Sequence, residues 1–304
     1  MLQLSQFYKE CHDLFCQQKT GQSHTVDIQA DTAHLMKLIM AERNNYIQSG
    51  AFLQKLQYKF DQLLWTDEIE YIDRDDFPAA DKQKIVDGLH KKNSLFGTYQ
   101  KIFNLILPYI REVNQQENRP CKILEIAGGS GQLAFFLAKK AKIHSLNVEI
   151  TSSDIVEHYV IESAKQANKS NSLVTFKQID ALSLDKLPKR EYDLILNLHS
   201  LHHFSAEQLA KIFYGSQIIA NKAFVAMDAY RGVRNLLFIG GSAFMQSMVT
   251  LNPMYAHDAW LSARKMYPQK LLEIIAKMAC PDSHVNVTQP SIGLTALVIE
   301  PERR

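Results

Sequence analysis

The sequence has 304 residues, of which 46% are hydrophobic and 22% are charged, and its formal net charge at neutral pH is +2. That length allows one large domain, or an ordinary domain with an appendage, and the apolar content suits a packed core. A nearly neutral chain lacks the broad positive charge that binds nucleic acid, so we expect no nucleic-acid partner.

Four cysteines are scattered without a Cys-x-x-Cys pair, which indicates a reducing compartment, no disulfide framework and no zinc-ligand spacing. The N-terminus has no basic start followed by an apolar stretch, and no apolar run approaches the roughly 20 residues of a membrane span. We therefore expect a cytoplasmic protein with no signal peptide, no membrane span and no metal. The oligomeric state is open, and a homodimer is one option.

Residues 1–115 have the periodicity of helices. Apolar residues recur every three or four positions in three early segments, of which the second is predicted to begin at an Asp31 cap and end at Ser49. The third spans 52–64, and further helical runs follow within 80–114. Glycines are rare and strand-like alternation is weak, so we predict a helical N-terminal region over residues 1–115.

From Cys121 onward, short strand-like runs alternate with helix-like ones, the pattern of a doubly wound sheet. The last two strands are joined only through 290–293, too short for a parallel crossover, so they should pair antiparallel. We predict a Rossmann-like α/β domain over 116–304, with seven strands and a lid-like insert at 230–268. The predicted strands are 122–127, 147–153, 174–179, 192–198, 223–229, 285–289 and 294–300, and the predicted helices are 131–142, 157–168, 206–220 and 269–279.

The first predicted strand ends in a glycine turn, Glu125-Ile126-Ala127-Gly128-Gly129-Ser130-Gly131, and a helix-like run follows at once. Such a turn lets the backbone approach a ligand and directs a helix N-terminus toward it. The carboxylate of Glu125 adds an acceptor that a phosphate site would not favour. Taken alone the turn is ambiguous, because Gly129 to Ala134 also fits the dinucleotide fingerprint G-x-G-x-x-A.

Three later positions favour one class of cofactor. Asp154 ends the second strand, where an acid can accept hydrogen bonds from both ribose hydroxyls of either cofactor, so it indicates a nucleoside without distinguishing the two, and a helix N-cap is its alternative role. Asp180-Ala181 ends the third strand, and the fourth strand, 192–198, leads into a histidine-rich loop. These elements, in this order, resemble class I S-adenosylmethionine (AdoMet)-dependent methyltransferases. The resemblance covers 121–300 and departs from the family at Ala127, where glycine is usual, and in the residues after Asp154.

The resemblance implies AdoMet as the cofactor and a set of cofactor-binding residues at the strand ends. That set is Glu125, Ala127, Gly128, Gly129 and Gly131 at the methionine end, Asp154 and Ile155 at the ribose, Asp180 and Ala181 at the adenine, and Asn197 as a positioning residue. The fourth strand lacks the Asn-Pro-Pro-Tyr sequence of enzymes that methylate nucleobase amines. A small-molecule acceptor is therefore the expected partner, and the resemblance implies that the helices of residues 1–115 form a cap over its pocket.

A phenol or enol acceptor needs a base near neutral pH, for which histidine is well suited. His199, His202 and His203 follow the fourth strand at the ligand-binding edge and are the catalytic candidates, with capping or packing as the alternative for the last two. A metal site formed by His199 and His203 is disfavoured, because no carboxylate or cysteine lies at ligand spacing. Substrate-binding candidates lie in and beside the insert, where arginines could instead pair with Asp228 or Asp258. These candidates are Tyr230, Arg231, His257, Trp260 and Arg264.

The sequence therefore predicts an AdoMet-dependent methyltransferase that acts on a small, apolar or aromatic acceptor, with oxygen favoured over carbon as the acceptor atom. One alternative is an NAD(P)-dependent oxidoreductase, which would need a Tyr-x-x-x-Lys pair or a His-Asp set after the fourth or fifth strand. Tyr-x-x-x-Lys is absent there. The other alternative is a catalytically inactive AdoMet-binding scaffold.

Overall fold

The computed structural model of the chain describes residues 5–19, 27–66, 68–74, 76–250 and 253–302. The N-terminal region consists of helices and one short 3-10 turn, Tyr71–Asp73. Its helices are α1 Ser5–Lys19, α2 Ile28–Ser49, α3 Phe52–Leu64, α4 Ala79–Leu95 and α5 Thr98–Gln116.

The remaining residues form a mixed α/β unit. Its strands are β1 Cys121–Glu125, β2 Val148–Asp154, β3 Thr175–Gln178, β4 Tyr192–Leu198, β5 Ala220–Ala229, β6 His284–Ser291 and β7 Leu294–Glu300. Its helices are α6 Gln132–Ile143, α7 Glu157–Lys169, α8 Ala206–Ile219, α9 Val233–Thr250, α10 Pro253–Lys265 and α11 Gln269–Ala279. None of the helices in these described ranges is long and apolar enough to cross a membrane.

The strands form one sheet in the order β3-β2-β1-β4-β5-β7-β6. The first five strands are parallel, whereas β7 pairs antiparallel with both β5 and β6. The predicted doubly wound sheet and its antiparallel end are thus confirmed. Strand order reverses beside β1, so the carboxyl ends of β1 and β4 border the crevice in which such sheets bind ligands.

The N-terminal helices divide between two places in the fold. Helices α1 and α2 pack on α8 and α11 at one face of the sheet, and α5 packs on the other face against β1, β5 and α6. Among the described residues of the N-terminal region, those that line the cavity described below lie between Glu70 and Lys101. The predicted boundary at 115/116 thus falls at the end of a helix that covers the sheet.

Helix α2 begins earlier than the sequence predicts. Asp27 is its N-cap, and its Oδ1 accepts hydrogen bonds from the backbone N–H groups of Gln29 and Ala30, both at 3.1 Å. Asp31, the predicted cap, lies in the first helical turn. Both aspartates precede apolar residues with helical spacing, so the local pattern could not separate them.

The predicted insert is a helical hairpin, α9 and α10, which pack closely against each other. The pair Gly240-Gly241 lies inside α9 and makes no turn. A Cβ atom on Gly240 would lie 3.0 Å from the ring of Trp260, so the glycine allows the two helices to approach.

Candidate active site

The glycine turn between β1 and α6 has a left-handed backbone at three positions. Ala127, Gly129 and Gly131 have φ values of 50°, 54° and 67°. Gly131 is the N-cap of α6, and the N–H of Gly128 donates to the carbonyl of Ser153 at 2.9 Å. Alanine disfavours this backbone region by about 1 kcal/mol. The departure from the family's glycine at Ala127 therefore stores strain in the turn.

Glu125 lies beneath this turn, and only 3% of its surface is exposed. Burial raises the pKa of its carboxyl to about 7, an effect that the Ser152 hydrogen bond opposes and the Asp154 charge strengthens. Ser152 Oγ donates to Glu125 Oε2 at 2.5 Å. A Cβ atom on Gly128 would lie 2.6 Å from Ser152 Oγ and 2.8 Å from Glu125 Cδ, so only glycine fits there.

The predicted ribose acid, Asp154, is bound to backbone. Its Oδ2 accepts from the N–H of Gly129 at 2.8 Å and its Oδ1 from the N–H of Val156 at 2.9 Å. Burial raises the pKa of Asp154, and these backbone N–H groups oppose the rise. Asp154 thus joins the end of β2 to the glycine turn. Its neighbour Ile155 exposes 60% of its surface.

The predicted adenine residues cap a 3-10 segment. Asp180 Oδ1 accepts from the N–H of Leu182 at 2.9 Å and its Oδ2 from Ser183 Oγ at 3.0 Å. Ala181 is buried and packs in the core on the α8 side of the sheet. Each carboxylate oxygen has a second lone pair, so the capping bonds leave Asp180 able to accept from a ligand.

Asn197, near the end of β4, is fully buried. Its Nδ2 donates to Ser200 Oγ at 2.6 Å and to the carbonyl of Ile126 at 3.3 Å, whereas its Oδ1 has no hydrogen-bond partner. Gly129 offers room, because a Cβ atom there would meet no protein atom within 4 Å. Carboxylates and an amide oxygen accept from ammonium and hydroxyl groups. These residues fit AdoMet, which carries both.

All three predicted histidines lie at the carboxyl end of β4, and two of them face Asp228 of β5. His202 Nδ1 is 2.8 Å from Asp228 Oδ2, and His199 Nδ1 is 3.4 Å from Asp228 Oδ1. Because an ionised carboxylate only accepts, Nδ1 carries the proton in each ring and Nε2 is left free. His199 has a φ of 54°, a strained conformation of the kind that concentrates at functional sites.

Charges on these groups are set by their neighbours. Burial would raise the pKa of Asp228, but His202 and His199 outweigh it and hold that pKa well below its usual range. His203 Nδ1 is 2.8 Å from Asp73 Oδ2. Burial lowers the pKa of His203, yet its hydrogen bond to Asp73 and the charges of Glu70, Asp73 and Asp228 raise it to about 9.

The three histidines line a cavity of about 720 Å³ between the sheet edge, the 70–101 segment and the α9–α10 hairpin. Its wall is mostly apolar, and the volume suits a drug-sized organic molecule. The apolar lining residues are Ile72, Ile85, Leu89, Phe96, Ala229, Phe238, Ile239, Tyr255, Ala259, Met266, Ile292, Gly293 and Leu294. His199, on one side of the cavity, directly follows β4, the strand that pairs with β1.

None of the five predicted substrate-binding residues is among the described residues that line this cavity. Tyr230 OH accepts from Gln289, and Arg231 is buried with its guanidinium over the ring of Trp65. His257 pairs with Asp258 and contacts the ring of Tyr71, Trp260 packs on Gly240, and Arg264 Nε donates to the carbonyl of Leu64 at 2.9 Å.

The opposite face of α10 lines the cavity instead. Tyr255, Asp258, Ala259, Ser262 and Met266 line it, at the three-and-four spacing of one helix face and its continuation. That spacing was visible in the sequence, but which face of α10 meets the cavity depends on packing.

Two acidic residues before α4, at or near the cavity wall, were not predicted as site residues. Glu70 lines the cavity and Asp73 pairs with His203. Asp258 of α10 fixes this segment, because its two oxygens accept from the N–H groups of Tyr71 at 2.9 Å and Ile72 at 3.1 Å. No sequence signal links residues 187 positions apart.

Comparison with known proteins agrees with the geometry of the cofactor side. Residues 123–216 match the model of a methyltransferase domain family. The chain is 32% identical over 97 residues to an AdoMet-dependent Diels-Alderase, iccD, of Talaromyces variabilis, covering 31% of each chain. It is 36% identical over 76 residues to the ubiquinone/menaquinone biosynthesis C-methyltransferase UbiE of Rickettsia bellii, covering 25% of this chain and 30% of UbiE. Each match spans about a third of the relative's length.

Solved structures share the fold at lower identity. The plantazolicin methyltransferase BpumL, in complex with SAH, has a TM-score of 0.52 at 16% identity, covering 74% of this chain and 91% of BpumL. The related plantazolicin methyltransferase BamL has a TM-score of 0.53 at 14% identity, covering 73% and 91%. Residues 123–216 therefore form a methyltransferase domain, and the fold is that of the class I AdoMet-dependent methyltransferases, whose cofactor is AdoMet.

This result sets aside the dinucleotide alternative. The predicted discriminator would not have done so alone, because the structure does contain a His-Asp set after the fourth and fifth strands. What separates the two cofactors in the structure is the buried Glu125 carboxylate under the glycine turn, which would oppose a pyrophosphate.

Proposed function

We propose that this protein transfers the methyl group of AdoMet to a small, largely apolar acceptor held in the 720 Å³ cavity. The observation that carries the proposal is the position of His199. It follows β4 directly, lines the cavity, and lies at the sheet edge that carries the glycine turn. A side chain at that place can meet both a cofactor and an acceptor.

Methyl transfer is an in-line displacement, so this chain's main contribution is alignment and exclusion of water. Glu125, the turn at Gly128 and Gly129, Asp154 and Asp180 would hold the cofactor, whose sulfonium supplies the methyl group. The apolar wall would orient the acceptor and keep water from it.

The acceptor nucleophile also has to lose a proton. His199 Nε2 is the atom proposed to receive it, with Asp228 stabilising the imidazolium that results. The left-handed backbone of His199 fixes where the ring leaves the chain. Asp228 is itself fixed, since its Oδ1 accepts from the N–H of Ala229 at 2.8 Å.

Oxygen is our first choice of acceptor atom, because a phenolic hydroxyl needs one proton removed by a base near neutral pH. Carbon is the second choice, and the name of the UbiE relative, a C-methyltransferase, favours it. Both choices need the same base and the same apolar cavity.

The test is incubation of the protein with AdoMet labelled in its methyl group and a fractionated small-molecule extract. We expect label in organic-soluble products, whose mass and NMR spectra then locate the new methyl group on oxygen or carbon. Label found only in protein or nucleic acid would reject the small acceptor. Cofactor binding without any transfer would indicate the inactive scaffold.

A further inference from the structure

Three side chains at the cavity wall have the composition of a metal site. Glu70, His202 and His203 each offer a ligand atom, and these atoms lie within 4.8 Å of one another. We propose that they bind one divalent transition-metal ion of the zinc or iron(II) kind. Two imidazoles and one carboxylate form the set that such ions accept while keeping positions open.

The two histidines are held as metal-ligating histidines usually are. Asp228 Oδ2 lies 2.8 Å from His202 Nδ1, and Asp73 Oδ2 lies 2.8 Å from His203 Nδ1. A carboxylate on one ring nitrogen fixes the tautomer and the ring plane and makes the other nitrogen a better ligand. Each ring therefore has its Nε2 available, and the metal would displace any proton bound there.

Glu70 supplies an independent observation. Only 2% of its surface is exposed, and its Oε1 accepts no hydrogen bond. A buried carboxylate oxygen without a hydrogen-bond donor is costly. Its other oxygen is fixed, because Ser262 Oγ donates to Oε2 at 2.7 Å. Lys265 Nζ is 3.6 Å from Oε1 and partly balances its charge.

The segment that carries Glu70 is anchored where the site needs it. The Asp258 carboxylate of α10 binds the N–H groups of Tyr71 and Ile72, immediately after Glu70. Ser262, one turn further along α10, holds Glu70 itself. Ligands from the 70–73 segment and from the end of β4 are thus brought together by a third element, as a preorganised site requires.

The ligand chemistry selects the ion. Mg²⁺ and Ca²⁺ prefer shells made of oxygen, whereas two imidazole nitrogens favour zinc, iron(II), cobalt(II) or nickel(II). The remaining coordination positions would face the cavity. An acceptor hydroxyl bound there would lose its proton more readily, and this last step alone rests on the proposed function.

The competing interpretation is an ion-pair network in which Lys265 is the natural partner of Glu70. The two interpretations predict different metal binding by one variant, Lys265→Met. If Lys265 competes with a metal for Glu70, Lys265→Met strengthens metal binding. If the cluster is only an ion-pair network, Lys265→Met creates no metal affinity.

The experiment is calorimetric titration of the tag-free, chelator-treated protein with Zn²⁺, together with visible absorption of its Co²⁺ form. We expect one metal ion per chain. Glu70→Gln and His203→Gln should each weaken binding by at least about 100-fold, and Asp73→Asn by about 10- to 100-fold. His257→Gln is the matched control, since His257 also pairs with a carboxylate but lies outside the cluster.

Circular dichroism of each variant tests whether it is folded. If Glu70→Gln does not fold, metal binding by His203→Gln decides the test. The proposal is overturned if the protein shows no saturable Zn²⁺ binding. It is also overturned if both ligand variants bind like the parent, or if His257→Gln loses binding to the same extent. No readout depends on methyl transfer, so failure of the proposed function leaves this test intact.

Discussion

The buried carboxyl of Glu125 allows a prediction in which stability and cofactor binding change in opposite directions. Burial raises its pKa from 4.5 to about 7 in the folded, ligand-free protein. At about 1.4 kcal/mol per pKa unit, the ionised carboxylate costs the fold about 3 kcal/mol above pH 7. Glu125→Gln keeps an acceptor for Ser152 and removes the charge, so it should regain about that amount.

The sign follows from proton linkage. Between about pH 4.5 and pH 7 the folded state keeps a proton that the unfolded state has lost, so this contribution to stability falls as the pH rises. This contribution to stability is complete below the pKa of Glu125 in the unfolded state, 4.5, and is lost above its pKa in the folded state, about 7. Between about pH 5.5 and about pH 8 the parent should lose about 2 kcal/mol more than Glu125→Gln does.

Urea unfolding at the two pH values measures that difference, and calorimetry with S-adenosylhomocysteine measures binding. Glu125→Gln should bind S-adenosylhomocysteine about 10- to 100-fold more weakly, because a charged hydrogen bond to the ligand ammonium is lost. Binding to the parent should also weaken below about pH 7. Glu149→Gln, an exposed carboxylate on β2, is the control.

The reasoning about Glu125 is refuted by either of two results. One is a Glu125→Gln variant that binds S-adenosylhomocysteine as tightly as the parent. The other is a variant whose stability changes with pH just as the parent's does, which would mean that the carboxylate is not desolvated in the folded protein.

Three further predictions concern the turn and the base. Gly128→Ala should cost about 1–3 kcal/mol of stability, because the added Cβ has no room. Gly129→Ala has open space but a φ of 54°, so it should cost about 1 kcal/mol and also weaken S-adenosylhomocysteine binding. Unchanged binding in Gly129→Ala would contradict the inference that the open space at Gly129 holds the cofactor. Ala127→Gly should raise stability by about 1 kcal/mol in urea unfolding, and a decrease would show that φ of 50° is not strained there. His199→Asn, which tolerates a left-handed backbone, should slow single-turnover methyl transfer about 100- to 10,000-fold with S-adenosylhomocysteine affinity preserved, and an undiminished rate would exclude His199 as the base.

The sequence by itself determined the sheet and the cofactor class. Strand–helix alternation predicted the doubly wound sheet, and the short link through Gly293 predicted its antiparallel end, because both are consequences of local chain geometry. The glycine turn after Glu125 and the acid Asp154 are each read from a few contiguous residues. A motif of that kind predicts the same local structure whatever the distant parts of the chain do.

Only the tertiary structure decided the cavity. Its wall joins Glu70 with Asp258 and Ser262 of α10 across nearly 200 residues of sequence, and no local pattern specifies such a contact. Three of the five predicted substrate residues, His257, Trp260 and Arg264, lie outside that wall because the rotation of α10 about its axis is set by packing on α9. Periodicity defines the faces of a helix, and only its neighbours decide which face a ligand meets.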